Sequence, residues 1–336
     1  MQWLRTGTAI AAAGWILIGV VIGYGVSNVQ SQGQLALLLN SIHPLRLHDK
    51  RYPLVNPLVT YETPETTALK EYQKLKEKLQ HIVDAQKQAG LIMRASVYYR
   101  NLDTGDWIGI DQNATYYPAS LLKVPVMIAY FKEAETDPNI LDERVTYTTI
   151  TGGDSFETPS SLVVGKNYSV HELIEKMIVA SDNGATYTLI EHMDKTRLNE
   201  VYTDLGIDHP DEDSSTYQIP TRTYALFFRV LYNATYLSTA YSQEALNLLT
   251  KATYSDGLLA GLPAGIPVAH KFGEHVVSSD RKTQDGVELH DCGIVYDPTH
   301  PYLLCIMTEA PTTANATNML KVISKETYDL ITTTRE

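Results

Sequence analysis

With 336 residues, 44% hydrophobic and 20% charged, the chain has ordinary globular composition; this excludes a disordered polymer and leaves room for one large domain or two ordinary ones. Its formal charge of −12, with no run of five or more basic residues, excludes a nucleic-acid partner, because phosphate binding needs a clustered basic surface. From Thr8 to Val26, 19 residues carry no charge and as a helix would cross about 30 Å of hydrocarbon. Arg5 precedes this run and no Lys or Arg follows it before Arg46, so the positive-inside rule puts the N-terminus in the cytoplasm and the remainder outside. The rival is a cleaved signal peptide, whose apolar region runs about 7–15 residues and ends in a small-x-small site. Only Gly25-Val26-Ser27 offers such a site, so an uncleaved anchor is expected. Both readings export the rest of the chain.

The expected organisation is an anchor at 1–27, a linker at 28–65 with one short helix at Gln34–Ile42, and a domain at 66–336. Apolar residues at helical spacing (Leu69, Tyr72, Leu75, Leu79, Ile82, Val83) predict an amphipathic helix over Thr66–Gln88. A β-hairpin follows, from Ser96–Arg100 through Asp103-Thr104-Gly105 to Trp107–Ile110. Helical pattern then dominates, over Leu121–Lys132, Val170–Ala180, Ala185–Met193, Thr221–Leu231 and Gln243–Lys251. Tyr168-Ser169-Val170-His171-Glu172 reads as a capped helix start rather than a metal motif. Strand pattern returns at Val268–Glu274, Val287–Tyr296 and Tyr302–Thr308, and a helix over Ala314–Thr332 closes the chain. An antiparallel sheet drawn from both ends of the sequence, with terminal helices and a helical insertion, is an α+β architecture.

Cys292 and Cys305 flank Asp297-Pro298-Thr299-His300-Pro301, and a hairpin centred between Pro298 and Thr299 sets them directly opposite each other. A cross-strand disulfide is one outcome in an oxidising space. Two buried free thiols are the other, and the expected one, because a bridge across paired strands needs unusual geometry.

Three short motifs carry the chemistry. Ser120-Leu121-Leu122-Lys123 opens an apolar helix, so Ser120 and Lys123 lie one turn apart on the same face. A neutral Lys123 amine there can take the Ser120 proton, which a serine nucleophile requires. The helix N-terminus offers backbone N–H groups to a developing oxyanion. A second S-x-x-K, Ser279-Asp280-Arg281-Lys282, sits in a polar turn with no apolar helix after it and is a chance match. Ser181-Asp182-Asn183-Gly184 follows the helix ending at Ala180; it serves equally as a helix cap and turn. Lys271-Phe272-Gly273 lies on a strand after Gly261-Leu262-Pro263.

Together S-x-x-K, S-D-N and K-x-G resemble the signature of penicillin-recognising serine hydrolases, nearest the class A β-lactamase group. The resemblance spans about residues 66–334. It implies a β-lactamase/transpeptidase-like α+β fold, with an antiparallel sheet flanked by helices and an all-helical lobe. By that resemblance Ser120 is the nucleophile and Lys123 its base. Ser181 relays a proton to the departing amine, Asn183 binds the substrate amide, and Asp182 holds the loop. Lys271 attracts a substrate carboxylate and polarises Ser181, while Gly273 and the backbone N–H of Glu274 line the substrate. The implied substrates are a β-lactam or a D-Ala-D-Ala peptide, acted on by a monomer with no cofactor or metal.

Two departures from the family pattern qualify this. Phe272 stands where the family has Thr and brings no hydroxyl to a substrate carboxylate. The loop between Asn183 and Pro220 is short and lacks the E-x-x-L-N that supplies the deacylating base. Asp208, Asp211, Glu212 and Asp213 are the acidic residues there, and read as a solvated turn; Glu274 is a second candidate. A peptidase or penicillin-binding protein with slow deacylation, or a binder without turnover, therefore stands beside the β-lactamase reading. His290-Asp291, in a strand, is either a packed polar pair, the expected reading, or a substrate contact across the sheet. A G-D-S-type esterase reading, on Gly153-Asp154-Ser155-Phe156 with Asp297–His300, fails for want of its further blocks.

Overall fold

The computed structural model describes residues 50–57, 70–148, 160–210, 216–278 and 285–333. The expected membrane span at 8–26, the helix at 34–42, the acidic residues at 211–213 and the second S-x-x-K lie outside these. Among the described residues no helix is long and apolar enough to cross a membrane.

Helix α1 (Lys70–Gln88) leads into the hairpin β1 (Arg94–Asn101) and β2 (Trp107–Ile110). Two short strands, β3 (Thr115–Tyr116) and later β6 (Ile219–Pro220), pair with each other just before the turn that carries Ser120. A helical lobe follows: α2 (Lys123–Ala134), a small ribbon of β4 (Arg144–Thr146) and β5 (Asn167–Ser169), then α3 (Val170–Val179), α4 (Asn183–His192), α5 (Lys195–Asp204), α6 (Thr221–Tyr232) and α7 (Thr239–Thr250). The chain returns to the sheet as β7 (Val268–Val277), β8 (Gly286–Val295) and β9 (Tyr302–Ala310), and ends on α8 (Thr313–Thr333). The sheet order is β2-β1-β9-β8-β7, antiparallel throughout, so both chain ends build it and β7 is an edge. This is the expected α+β layout.

Burial follows from the strand period of two. Ala269, Cys292, Cys305 and Met307 face the helical lobe and join its core with Met127, Leu173 and Phe228. Val268, Leu289, Leu304 and Ile306 face the other way, against Leu75, Leu79 and Val83 of α1 and Met319, Leu320 and Ile323 of α8. Helix α3 begins where the capping-box sequence predicts, with Ser169 accepting from Glu172 N and Glu172 accepting from Ser169 N. Helix α5 was not expected: it buries only Val201 and Tyr202, so the apolar stripe is too thin to read. Within the stretch read as linker, the segment around Val55 lies on the domain. Val55 is buried, Asn56 N donates to Tyr232 O at 2.8 Å, and Tyr296 Oη donates to Leu54 O at 2.9 Å.

The expectation of free thiols is corrected. Cys292 and Cys305 are paired across β8 and β9 at a Cα–Cα distance of 3.9 Å and joined in a disulfide. The hairpin centre at Pro298–Thr299 is as predicted; directly opposed residues on neighbouring strands come close enough to bond.

Candidate active site

Ser120 does not start the α-helix itself. It lies in a 3₁₀ turn, Ala119–Leu122, that runs into α2 at Lys123. The residue before it, Ala119, has φ of 49°, a left-handed conformation that costs an L-residue about 1–2 kcal/mol. Three contacts hold the turn in place. Tyr224 of α6 donates to Leu121 O at 3.0 Å, and Leu121 N donates to Pro118 O at 3.0 Å. The third is the close approach of β7: a Cβ on Gly273 would sit 2.6 Å from Pro118 O and 3.1 Å from Leu121 N. The glycine of K-x-G is thus a steric requirement of strand against turn.

Ser181 occupies the loop between α3 and α4, also left-handed at φ 57°. Asp182 is the N-cap of α4, its Oδ1 accepting from Ala185 N at 2.8 Å and from Tyr147 Oη at 3.1 Å. Within S-D-N, Asp182 caps the helix, while Ser181 and Asn183 face the lysines.

Lys123 Nζ donates to Ser181 O at 2.6 Å, Ser181 Oγ at 3.0 Å and Asn183 Oδ1 at 2.6 Å. Three acceptors match the three N–H groups of an ammonium. From the far side Lys271 Nζ donates to the same Ser181 Oγ at 2.9 Å and to Phe272 O at 3.0 Å. Lys271 is fully buried; burial first, and the Lys123 charge second, push it well below the usual lysine range. Two amines on one hydroxyl make a chain along which a single proton can shift. The structure therefore brings Ser120, Lys123, Ser181, Asn183, Lys271 and Gly273 together from a turn, a loop and a strand that are far apart in sequence.

Glu274 is the exception. Strand alternation turns Lys271 and Gly273 toward the turn that carries Ser120 and Phe272 and Glu274 toward α8. Accordingly Thr313 Oγ1, at the start of α8, donates to Glu274 Oε1 at 3.1 Å. The side chain expected as a candidate base is not brought to Ser120; only its backbone, on the edge strand, remains on the site. Phe272 packs with the α8-side core, its ring centroid 4.3 Å from Lys271 Nζ and 4.1 Å from the Tyr254 ring on which it stacks.

Several residues at the site escaped sequence reasoning. Tyr117 packs its ring at a tilt against His275, centroids 4.5 Å apart, beside the turn that carries Ser120. His290 and Asp291 do not pair with each other, because neighbours on a strand face opposite ways. Asp291 Oδ1 meets His270 Nδ1 at 2.8 Å and its Oδ2 accepts from Leu258 N at 2.8 Å, beneath the Tyr254–Phe272 stack. His290 points to the site side. The signal was available in the alternation of Glu288-Leu289-His290, two polar residues on one face of a buried strand.

Residues 74–331 match the family described as the Beta-lactamase enzyme family. No curated protein matches the chain. Among solved structures it is similar to PBP-A, with TM-score 0.68 and 23% identity over 81% of this chain and 100% of that one. A variant of PBP-A in an acyl-enzyme complex with penicillin G gives 0.66 and 23% over the same shares. A class A β-lactamase from Mycobacterium abscessus gives 0.64 and 18%, over 76% of this chain and 99% of that one. At these identities the likeness to solved structures is one of fold.

Proposed function

This chain belongs to the Beta-lactamase enzyme family, and on that footing we propose that it is a serine hydrolase opening amides, β-lactams first among them, through an acyl-enzyme on Ser120. The observation that carries the proposal is the Ser181 hydroxyl held between two lysine amines, 3.0 Å from Lys123 and 2.9 Å from Lys271. Moving a proton from Lys123 through Ser181 to Lys271 leaves Lys123 neutral, one turn from Ser120. Ser120 Oγ then bonds to the substrate carbonyl carbon as its proton passes to Lys123, and backbone N–H groups of Ser120 and Glu274 receive the oxyanion. Collapse breaks the C–N bond, and the departing nitrogen takes its proton from Ser181, which a lysine ammonium restores. Asn183, already held by Lys123, is placed to bind the substrate amide.

The uncharged N-terminal run at 8–26 and its preceding Arg5 support a membrane anchor with the rest of the chain extracytoplasmic. The Cys292–Cys305 disulfide supports the same oxidising compartment.

A second reading is favoured by the orientation of Glu274: with that carboxylate turned to Thr313, acylation outruns hydrolysis and a penicillin stays attached, as in a penicillin-binding protein or a slow D-Ala-D-Ala carboxypeptidase. The test mixes the purified full-length chain with a penicillin and follows intact mass and ring-opening absorbance. Fast ring opening supports the β-lactamase reading and a lasting adduct the second; in either case Ser120→Ala should abolish both signals. No adduct and no hydrolysis would sink both readings and leave a binder.

A further inference from the structure

A row of ionisable side chains crosses the sheet on the site face: His275 of β7, Glu288 of β8, Glu309 of β9 and Arg94 of β1 are successive directly opposed residues. Arg94 ties the row together, its Nη2 2.7 Å from Glu288 Oε1 and its Nε 2.5 Å from Glu309 Oε2. Laid over this row is the segment just before the nucleophile. Arg94 Nη1 donates to Thr115 O at 2.6 Å, and its guanidinium lies 4.1 Å from the Tyr116 ring centroid. Tyr117 N donates to Glu288 Oε2 at 3.2 Å, and Tyr117 O accepts from His290 Nε2 at 3.0 Å. His290 is held in that tautomer by Thr308 N, which donates to its Nδ1 at 3.3 Å. Three residues further on is Ser120, past the left-handed Ala119.

We propose that Glu288 and His290 are positioning residues for Ser120, gripping the backbone N–H and C=O of Tyr117 from β8 and so setting where the nucleophile turn sits. The proposal rests on the reading of Ser120 as nucleophile and adds a pH sense to it. Ionised Glu288 offers one oxygen to Tyr117 N–H and the other to Arg94. A protonated carboxyl gives up one of these acceptor roles, so the grip weakens. Burial pushes Glu288 up to about 7, Arg94 pulling against the rise and Glu309 adding to it. His290, pushed down to about 4 by burial, keeps its neutral form across that range. The groups facing Glu288 are Arg94, Glu309, His275, His290 and Tyr116, with Asp111 beyond Tyr116.

Two measurements on the full-length chain test this. In the first, acylation by a fluorescent penicillin should rise with pH through Glu288, about fivefold from its low plateau to its high one, the worth of one hydrogen bond. Glu288→Gln, which has a single acceptor, should sit on the low plateau and lose that component of the profile. Glu309→Gln touches neither Tyr117 nor Ser120; it should keep the high plateau and move the midpoint to lower pH. In the second, hydrogen exchange of the Tyr117 amide, corrected for its intrinsic pH dependence, should show about three- to fourfold more protection at pH 8 than at pH 6 in the wild type. Glu288→Gln should show the lower protection at both. Identical acylation profiles in wild type and Glu288→Gln overturn the proposal. If the wild type never acylates, the nucleophile reading fails, and Tyr117 protection alone decides the grip: loss in Glu288→Gln upholds it and unchanged protection overturns it.

Discussion

Phe272 is the residue at which this site departs most from its family's pattern, and its surroundings explain how an aromatic ring is tolerated there. Its face is taken by Tyr254 and the ring is packed against the α8-side core. The consequence is chemical: Lys271 Nζ meets a ring face and a backbone carbonyl where a hydroxyl would stand. Phe272→Thr restores an O–H donor beside Lys271. A hydrogen bond to a charged group is worth about 1.5–3 kcal/mol, so acylation by a penicillin with a free carboxylate should speed up roughly tenfold or more, while its methyl ester should gain little. Second-order acylation constants for the two compounds give the ratio directly; an equal change for acid and ester would show that the Thr hydroxyl does not meet the carboxylate.

At the scale of elements, the proposed acylation depends on how closely β7 approaches the turn before α2. Gly273 allows it, and Gly273→Ala places a methyl 2.6 Å from Pro118 O, against backbone with little freedom to move. The strand and the turn must then separate, and a displacement near 1 Å at reacting groups can cost about 100-fold. The expected outcome is acylation reduced by about that factor with an unchanged circular dichroism spectrum. Gly184 plays the matching part in the other motif: an added Cβ would fall 2.3 Å from Tyr147 Oη, the group that bonds Asp182. Gly184→Ala should therefore disturb the α4 cap and, through it, Ser181, lowering both stability and acylation.

These elements also show what the sequence made legible. Ser120 with Lys123, and Ser181 with Asn183, could be placed because each pair sits within one turn of a strongly patterned helix. Glu274 could not: its backbone and its side chain serve opposite faces of β7, and only knowing which face meets α8 separates them. The grip of Glu288 and His290 on Tyr117 joins residues 171 and 173 positions apart, so no local pattern announces it beyond two polar residues on a buried strand face.

Over the whole molecule, the sheet is a single object shared by two cores, and changes within it report on global stability. Glu288 gives one such report. Its native value of about 7 exceeds the 4.5 of the unfolded chain, so between those values the native state holds the extra proton. Ionising it lowers stability progressively as pH rises from about 4.5 to about 7. Replacing it by Gln removes this penalty, and the melting temperature of Glu288→Gln relative to wild type should shift in the variant's favour between pH 5 and pH 8.

The disulfide makes the stronger global claim. Cys292 and Cys305 are both fully buried at the centre of β8 and β9, and Cys292 is also opposite Lys271 of β7. The bridge closes a short loop, 13 residues in sequence, and in the chain-entropy account such a loop contributes about 3 kcal/mol by restricting the unfolded chain. Because no sulfur is exposed, reductant should reach it only through unfolding. The native chain should therefore keep its melting temperature when dithiothreitol is added briefly in the cold, and lose several degrees when heated and refolded in its presence. A Cys292→Ala/Cys305→Ala variant should match the reduced protein, less stable by about 2–4 kcal/mol, with reductant having no further effect. It should also still acylate at low temperature, since neither sulfur bonds to Lys271, Ser181 or Lys123. Stability unchanged in the double variant would mean that the sheet's packing alone holds β8 to β9.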